Sequence, residues 1–301
     1  LLPGVDGDIA DTPHSTMLTA IITLYVLLLT VGSLILTGLI AYSLTWSQRS
    51  PFIIIYQLWA FSILGILATT LLSLLSPEPK VAQFWHQTIR FCFLAMQAPL
   101  ALGFFLTYIR IDGRSRDLLR SLIPFVFLIP AVTIALNVTN TLHHLFIRSY
   151  VFVAQGPYQV REYWMPGPWY YVHALYSVLL ILSIFILPGA RKFWTAGQSP
   201  GGRVSFLASL AIPFALALMD LLRVFPSLPL QLLPIGLLVT VAIHGIGNYN
   251  GLLLGVMFNF VPFARSVLLD NMEDMVLLLD IAGYVVDSNA SARRLFGSPS
   301  S

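Results

Sequence analysis

Eight side chains in otherwise apolar stretches of this chain have the chemistry to hold a small molecule. His86 and Arg90 stand one helical turn apart, and Asp220 and Arg223 stand three residues apart, spacings that put each pair on one helix face. Trp169 opens an apolar run that also carries His173 and Tyr176, and Gln231 opens another. Together they supply two guanidiniums, a carboxylate, two imidazoles and an amide, with aromatic walls from Trp85, Trp169 and Tyr170. A few convergent polar groups among apolar walls suit a small amphipathic ligand. Each residue also has a plainer reading. The arginines can extend their heads to a polar boundary, Asp220 can form a structural ion pair with Arg223 or Arg90, and the tryptophans can sit in an interfacial belt. No catalytic residue and no cofactor is predicted. His143 and His144 lack a third placed ligand, so no metal site is expected.

The elements that position these groups follow from composition. Hydrophobic residues make up 57% of the 301 residues and charged ones 10%, against about 25% charge in soluble domains. The mean hydropathy is strongly positive. A bilayer core needs roughly 20 apolar residues per helix, and seven stretches supply them: 17–46, 52–75, 84–109, 119–136, 169–187, 204–224 and 230–249. Proline or polar turns at Arg49-Ser50-Pro51, at Ser76 to Lys80 and at Pro226 to Pro229 separate them. The expected fold is an all-α membrane protein, a seven-transmembrane helix bundle. Lys80 and Lys192, the two lysines, both fall in loops, and the single cysteine, Cys92, can form no internal disulfide.

Basic residues set the orientation. One set of loops holds Arg49, Arg110, Arg114, Arg116, Arg120, Arg191, Lys192 and Arg203; the other holds Lys80, Arg148 and Arg161. The first set reads as cytoplasmic, which places the amino terminus outside and the carboxyl terminus inside. Residues 1–16 form an acidic external segment without an apolar run, so they are not a signal peptide. The bundle spans 17–251, and its long external loop, 137–168, carries Tyr150, Arg161 and Trp164. Within that loop Tyr150-Val151-Phe152-Val153 reads either as a short strand in a lid or as part of an aromatic belt on headgroups. His244 reads as a packed residue, and Gln57, Gln97 and Asn259 as hydrogen-bonding helix glue.

Beyond the seventh span the pattern changes. Residues 252–274 read as a linker, helical and polar from Arg265 to Met275. Met275 to Asp280 and Tyr284 to Asp287 read as strands around a turn at Ile281-Ala282-Gly283, and Ser288 or Asn289 as the N-cap of a following helix. Residues 275–301 are too few for a core of their own and look like the truncated beginning of an α/β domain. The chain, starting at Leu1 without methionine and stopping in a polar tail, reads as a fragment of something longer.

The phrases Asp270-Asn271-Met272-Glu273-Asp274, Val276 to Asp280 and Val285-Val286-Asp287-Ser288-Asn289-Ala290 resemble the start of a PAS domain. Pro262-Phe263-Ala264-Arg265 resembles the proline-x-alanine-arginine link that precedes such a domain, and Asn137 to His144 and Trp169 to Ser177 agree in order. The chain from Met17 onward is therefore similar to the bacterial seven-transmembrane sensor region of histidine kinases. The resemblance implies a receptor in the bacterial inner membrane, a small-molecule ligand, a homodimer, and a cytoplasmic output domain acting on a response regulator. It also implies that Pro262, Arg265, Asp280 and Asn289 relay the signal. No phosphoacceptor helix or nucleotide-binding glycine box is present, so this chain itself is expected not to be an enzyme.

Other functions are weighed on the same residues. A retinal photoreceptor needs a lysine in the seventh span, which has none. A transporter is disfavoured by a midplane nearly free of charge, although Pro99, Pro130 and Pro213 interrupt spans. A sensor for a diguanylate cyclase is the alternative output, and a simple membrane anchor predicts no pocket. Nothing in the sequence suggests a nucleic-acid partner.

Overall fold

The computed structural model describes residues 13–44, 51–108, 113–186, 200–222, 224–225, 230–249, 272–279 and 285–296. Helices dominate: α1 (Pro13–Leu44), α2 (Pro51–Leu74), α3 (Pro79–Gln83), α4 (Arg90–Ala95), α5 (Gln97–Tyr108), α6 (Gly113–Val138), α7 (Asn140–His143), α8 (Pro168–Ile186), α9 (Pro200–Leu221) and α10 (Leu232–Tyr249). Five of them open on a proline. At the first helical position its fixed φ is already helical, and the N–H it lacks has no partner there in any residue. The prolines that end one apolar run therefore start the next.

Three helical stretches are long and apolar enough to cross a membrane: Ser15–Leu44, Ile54–Leu74 and Pro79–Leu106. Four shorter apolar helices accompany them, Phe125–Val138, Pro168–Ile184, Leu207–Leu221 and Leu232–Gly245. The third stretch is not uniform. Between α3 and α4 it widens into a π-helical turn, Phe84–Ile89, where the Arg90 N–H reaches back five residues to the Trp85 carbonyl. Farther along it breaks at Met96, because Pro99 has no N–H to return to Ala95; the Met96 N–H bonds Phe93 instead.

Helix α2 packs on α1, α4 and α5, and α8 packs on α5 and α6. Small residues allow the closest approaches. A Cβ on Gly236 of α10 would lie 2.6 Å from the Pro213 Cα of α9, so the two backbones meet there directly. Polar side chains fasten neighbouring helices: Gln97 donates to Ser62 at 2.7 Å and accepts from the Trp59 indole at 3.1 Å. His244 stacks on Tyr56 with centroids 5.9 Å apart.

Between α7 and α8 the chain forms an antiparallel hairpin of β1 (Ile147–Gln155) and β2 (Tyr158–Pro166). The 150–153 run is thus the middle of β1, within a nine-residue strand. Its two-residue connection begins with Gly156 at φ 57°, and glycine at that first position is what a type II′ turn requires. Asn140 sets the hairpin's base. Its side-chain oxygen accepts the Phe146 and Ile147 N–H groups at 3.0 Å each, and its amide donates to the Ile147 carbonyl at 2.8 Å. At the same base the Gly167 N–H bonds the Phe146 carbonyl and the Trp169 N–H the Leu145 carbonyl, closing the loop onto itself.

By its contacts the chain divides into two compact units, Leu1–Ile246 and Gly247–Ser301. In the second, β3 (Leu277–Leu279) pairs antiparallel with β4 (Val285–Ser288), and α11 (Ala290–Phe296) follows. Asn289 caps α11 through its oxygen, which accepts the Ala292 N–H at 3.0 Å. The same oxygen accepts the Val276 N–H, and its amide donates to the Asp274 carbonyl, which ties the cap to the approach of β3. Residues 272–275 are irregular with bends, not the end of a helix; the rest of the expected linker helix lies outside the described residues.

Candidate functional site

Polar residues collect where the hairpin meets the helix ends. His86, fully buried, projects from the π-helical turn, a feature common at functional sites. The Arg90 Nη1 donates to His86 Nε2 and to Gln231 Oε1, and the Gln231 amide also meets His86 Nε2. With Nε2 accepting, the His86 proton resides on Nδ1 and faces the Tyr150 hydroxyl of β1. Tyr150 stacks on Phe152 at 5.4 Å and 12°, and both rings flank His86, at 5.0 and 5.6 Å. Helix α1 joins through Tyr25, whose hydroxyl donates to the Gln231 carbonyl at 3.1 Å, and through Thr23, 3.0 Å from the Tyr158 hydroxyl of β2.

A second group lies on the same hairpin. The Asp220 carboxylate, at the end of α9, pairs with Arg161 of β2 at 2.7 Å, with the side chains 18% and 10% exposed. Among the described residues its partner is therefore Arg161 and not Arg90; Arg223 lies outside them. The Arg161 guanidinium also covers the Trp164 ring at 5.4 Å. Burial alone lowers the Arg161 pKa, but Tyr150 and Asp220 outweigh it, so the net shift is upward and the group stays charged. Burial pushes the Tyr150 hydroxyl above its ordinary value of 10.0, against the opposing pull of Arg161 and Arg90. The Arg161 guanidinium and the Tyr150 hydroxyl stand near enough to shift each other's pKa, so the two groups form one layer.

Below this layer is a largely apolar cavity of about 160 Å³. Leu94, Ala98 and Ala101 wall it from α4 and α5, Tyr170 and His173 from α8, and Ala217 from α9. His173 is buried, 3.2 Å from Thr133 and 3.5 Å from Ser177. Trp169 also turns to α6, its indole N–H donating to Thr133 at 3.0 Å.

Of the eight residues singled out in the sequence, three meet in one contact network: His86, Arg90 and Gln231. Asp220 joins the neighbouring ion pair, and His173 lines the cavity. Trp169 and Tyr176 instead brace α8 against α6, since the Tyr176 hydroxyl donates to the Val126 carbonyl. Arg223 lies outside the described residues, as do Pro262, Arg265 and Asp280; Asn289 is the cap described above. Sequence reasoning missed the roles of Tyr150, Arg161 and Asn140. The signal for Arg161 was available: an isolated carboxylate at the end of one apolar helix and an isolated arginine in an external loop. Among the described residues, no group of three or more His, Cys, Asp or Glu could hold a metal ion.

Comparison with known proteins bears on the whole bundle. No curated protein and no solved structure matches the chain. A family profile described as the N-terminal 7TM region of histidine kinase matches residues 12–257, most of the chain and all of the helices that build the site. The chain belongs to this family of membrane-embedded, N-terminal seven-helix regions of histidine kinases.

Proposed function

We propose that the chain is the ligand-sensing half of a receptor histidine kinase. The seven apolar helices cross the bacterial inner membrane with the amino terminus outside, and the β1–β2 hairpin lies on the external face as a lid. A small amphipathic molecule binds beneath the hairpin, against His86, Arg90, Gln231 and His173. Asp220 acts on the same site through Arg161, holding the lid in place. Binding shifts the third span together with α9 and α10. That movement passes through residues 252–274 to a PAS domain that begins near residue 275, and on to the kinase of a homodimer and its response regulator.

The observation that carries this reading is the buried charged layer under the hairpin. A passive anchor has no use for guanidinium groups taken out of water, whereas intramembrane ionisable residues mark function. The family supports a kinase as the output: it is described as the N-terminal 7TM region of histidine kinase. The short β3–β4 pair and the Asn289-capped helix support the opening of a PAS domain.

The test is autophosphorylation of the intact receptor in cells. Arg90→Ala and Asp220→Ala, with an alanine scan of 147–166, should lock or abolish the response in protein that still reaches the membrane. Wild-type signalling from all of them overturns the reading. For orientation, a cysteine placed at Gly156 in a Cys92→Ser background should react with an impermeant maleimide in intact cells, and reaction only after lysis would reverse the topology.

A further inference from the structure

The polar layer holds two guanidiniums and one carboxylate. Arg161 has the carboxylate. Arg90 has none: among the described residues the one ion pair is Arg161–Asp220. Yet Arg90 is the more deeply buried, 3% exposed. Its Nη1 is committed to two neutral groups, His86 and Gln231, and its Nε is buried without a partner. Removing a cation from water costs several kcal/mol unless an anion accompanies it, and arginine does not shed its proton to escape that cost. One positive charge is left over in a place that no lysine or arginine occupies cheaply.

The apolar cavity begins one helical turn from this charge. Leu94, four residues after Arg90, is on its wall, and so is Leu233, two residues after Gln231. So is Tyr170, whose ring meets Phe91 edge-on at 5.9 Å. Of the polar groups on that wall, Gln97 is held by Ser62 and Trp59, His173 by Thr133, and Ser177 by the His173 carbonyl. A volume of about 150 Å³ accommodates a benzene ring, close to the 160 Å³ here.

The geometry points to an amphipathic organic anion as the ligand, its carboxylate or phosphate head on Arg90 and an apolar part of about ring size in the cavity beneath. This deepens the sensor reading and rests on it. The Nε, buried without a partner, is the donor on the guanidinium that such a head would satisfy. A cationic amphiphile meets the surplus positive charge and is rejected. A neutral one fills the cavity but leaves Arg90 uncompensated. Arg161–Asp220 is self-neutral and needs no ligand, so the pair fastens the hairpin over the site without competing for the head.

The full chain, purified in detergent and exchanged into phosphatidylcholine nanodiscs, tests this by calorimetric titration with phenylacetate and hexanoate. Their neutral and cationic counterparts, 2-phenylethanol, hexanol and phenethylamine, serve as controls. Both acids should bind at least tenfold more tightly than the alcohols, and the amine should not bind. Arg90→Gln should remove that preference, Arg90→Lys should keep most of it, and Ala217→Phe should weaken acids and alcohols alike by filling the cavity. Should Arg90→Gln fail to fold, the acid–alcohol contrast and Ala217→Phe decide the matter. Alcohols binding as tightly as acids, with Arg90→Gln unchanged, would sink the anionic head and leave the sensor reading standing. No binding of either class overturns the inference, while signalling by the intact receptor judges the sensor reading separately. Native mass spectrometry separates the sources: an anionic phospholipid retained by wild type and lost in Arg90→Gln supports the same head site with the bilayer as its supplier.

Discussion

The middle of the bundle and its hairpin end use polar residues in opposite ways. In the middle every described contact is between neutral groups on adjacent helices: Gln97 between Ser62 and Trp59, Thr240 on the Ser209 carbonyl at 2.9 Å, His244 stacked on Tyr56. Such contacts are worth little individually in a membrane and serve to align helices. At the hairpin end charged groups from α4, α9 and β2 meet neutral ones from α1, β1 and the residue before α10, and they include one cation without a counter-charge among the described residues. Burying charge costs more than burying amides, so the chain tolerates it at one end for a reason that helix alignment does not supply. The contrast separates glue from site.

Removing one partner of the ion pair strikes that contrast hardest. Asp220→Asn leaves Arg161 buried without a carboxylate, and breaking a buried pair this way costs about 3–5 kcal/mol. The hairpin should loosen: amide exchange across 147–166 accelerates, and the thermal midpoint in detergent falls. Reversing the pair, Arg161→Asp with Asp220→Arg, should recover much of the loss. A change below about 1 kcal/mol would put the pair among exposed salt bridges and erase the difference between the two regions.

Tyr150 tests the layer from the hairpin side. Tyr150→Phe removes the partner of His86 Nδ1, at a cost of about 1–3 kcal/mol for the unsatisfied ring nitrogen. It also changes the alkaline response. The folded Tyr150 pKa lies above the ordinary 10.0 of the unfolded chain, so its contribution is complete below pH 10.0 and fades as pH rises through the folded value. Of the groups facing it, Arg161 keeps its charge over this window because its own pKa is raised. Wild type should therefore lose thermal midpoint steeply above pH 10.0, while the phenylalanine variant, lower at neutral pH, should decline less. Parallel curves would detach Tyr150 from the layer.

The two regions were not equally legible in the sequence. Helix positions follow from apolar runs bounded by prolines, and the expected ranges lie within a few residues of the helices wherever these are described. Gln97 reads as helix glue because an amide inside an apolar span has few other uses. The hairpin end is harder. β1 could be read because Tyr150 to Val153 is an unbroken run of strand formers, but β2 is broken by Arg161 and Glu162 and reads as loop. Arg161 and Asp220 are 59 positions apart, a distance at which no periodicity reports contact, so the nearer Arg223 and the other intramembrane arginine, Arg90, were the candidates. The π-helical turn at Phe84–Ile89 leaves no composition signal. Asn140 enters the sequence reading only within the Asn137–His144 segment, since what it satisfies is backbone that only the fold brings to it.

The gentlest change marks the lower bound of the comparison. Gln97→Leu removes two neutral hydrogen bonds in the middle of the bundle, to Ser62 and from Trp59, and interhelical bonds of this kind average about 0.6 kcal/mol. Leucine matches the glutamine in size and adds apolar surface, so the packing between α2 and α5 should survive with a thermal midpoint within a few degrees of wild type. Gln97 also lines the cavity, yet its amide is already spent on its helix neighbours. Phenylacetate affinity should therefore hold or rise slightly in the leucine variant, whereas Arg90→Gln, one buried polar residue changed seven positions away, should lose at least tenfold. Equal losses from both would mean that the mid-bundle amide also contacts the ligand, and that the division between glue and site runs lower in the bundle than the hairpin layer.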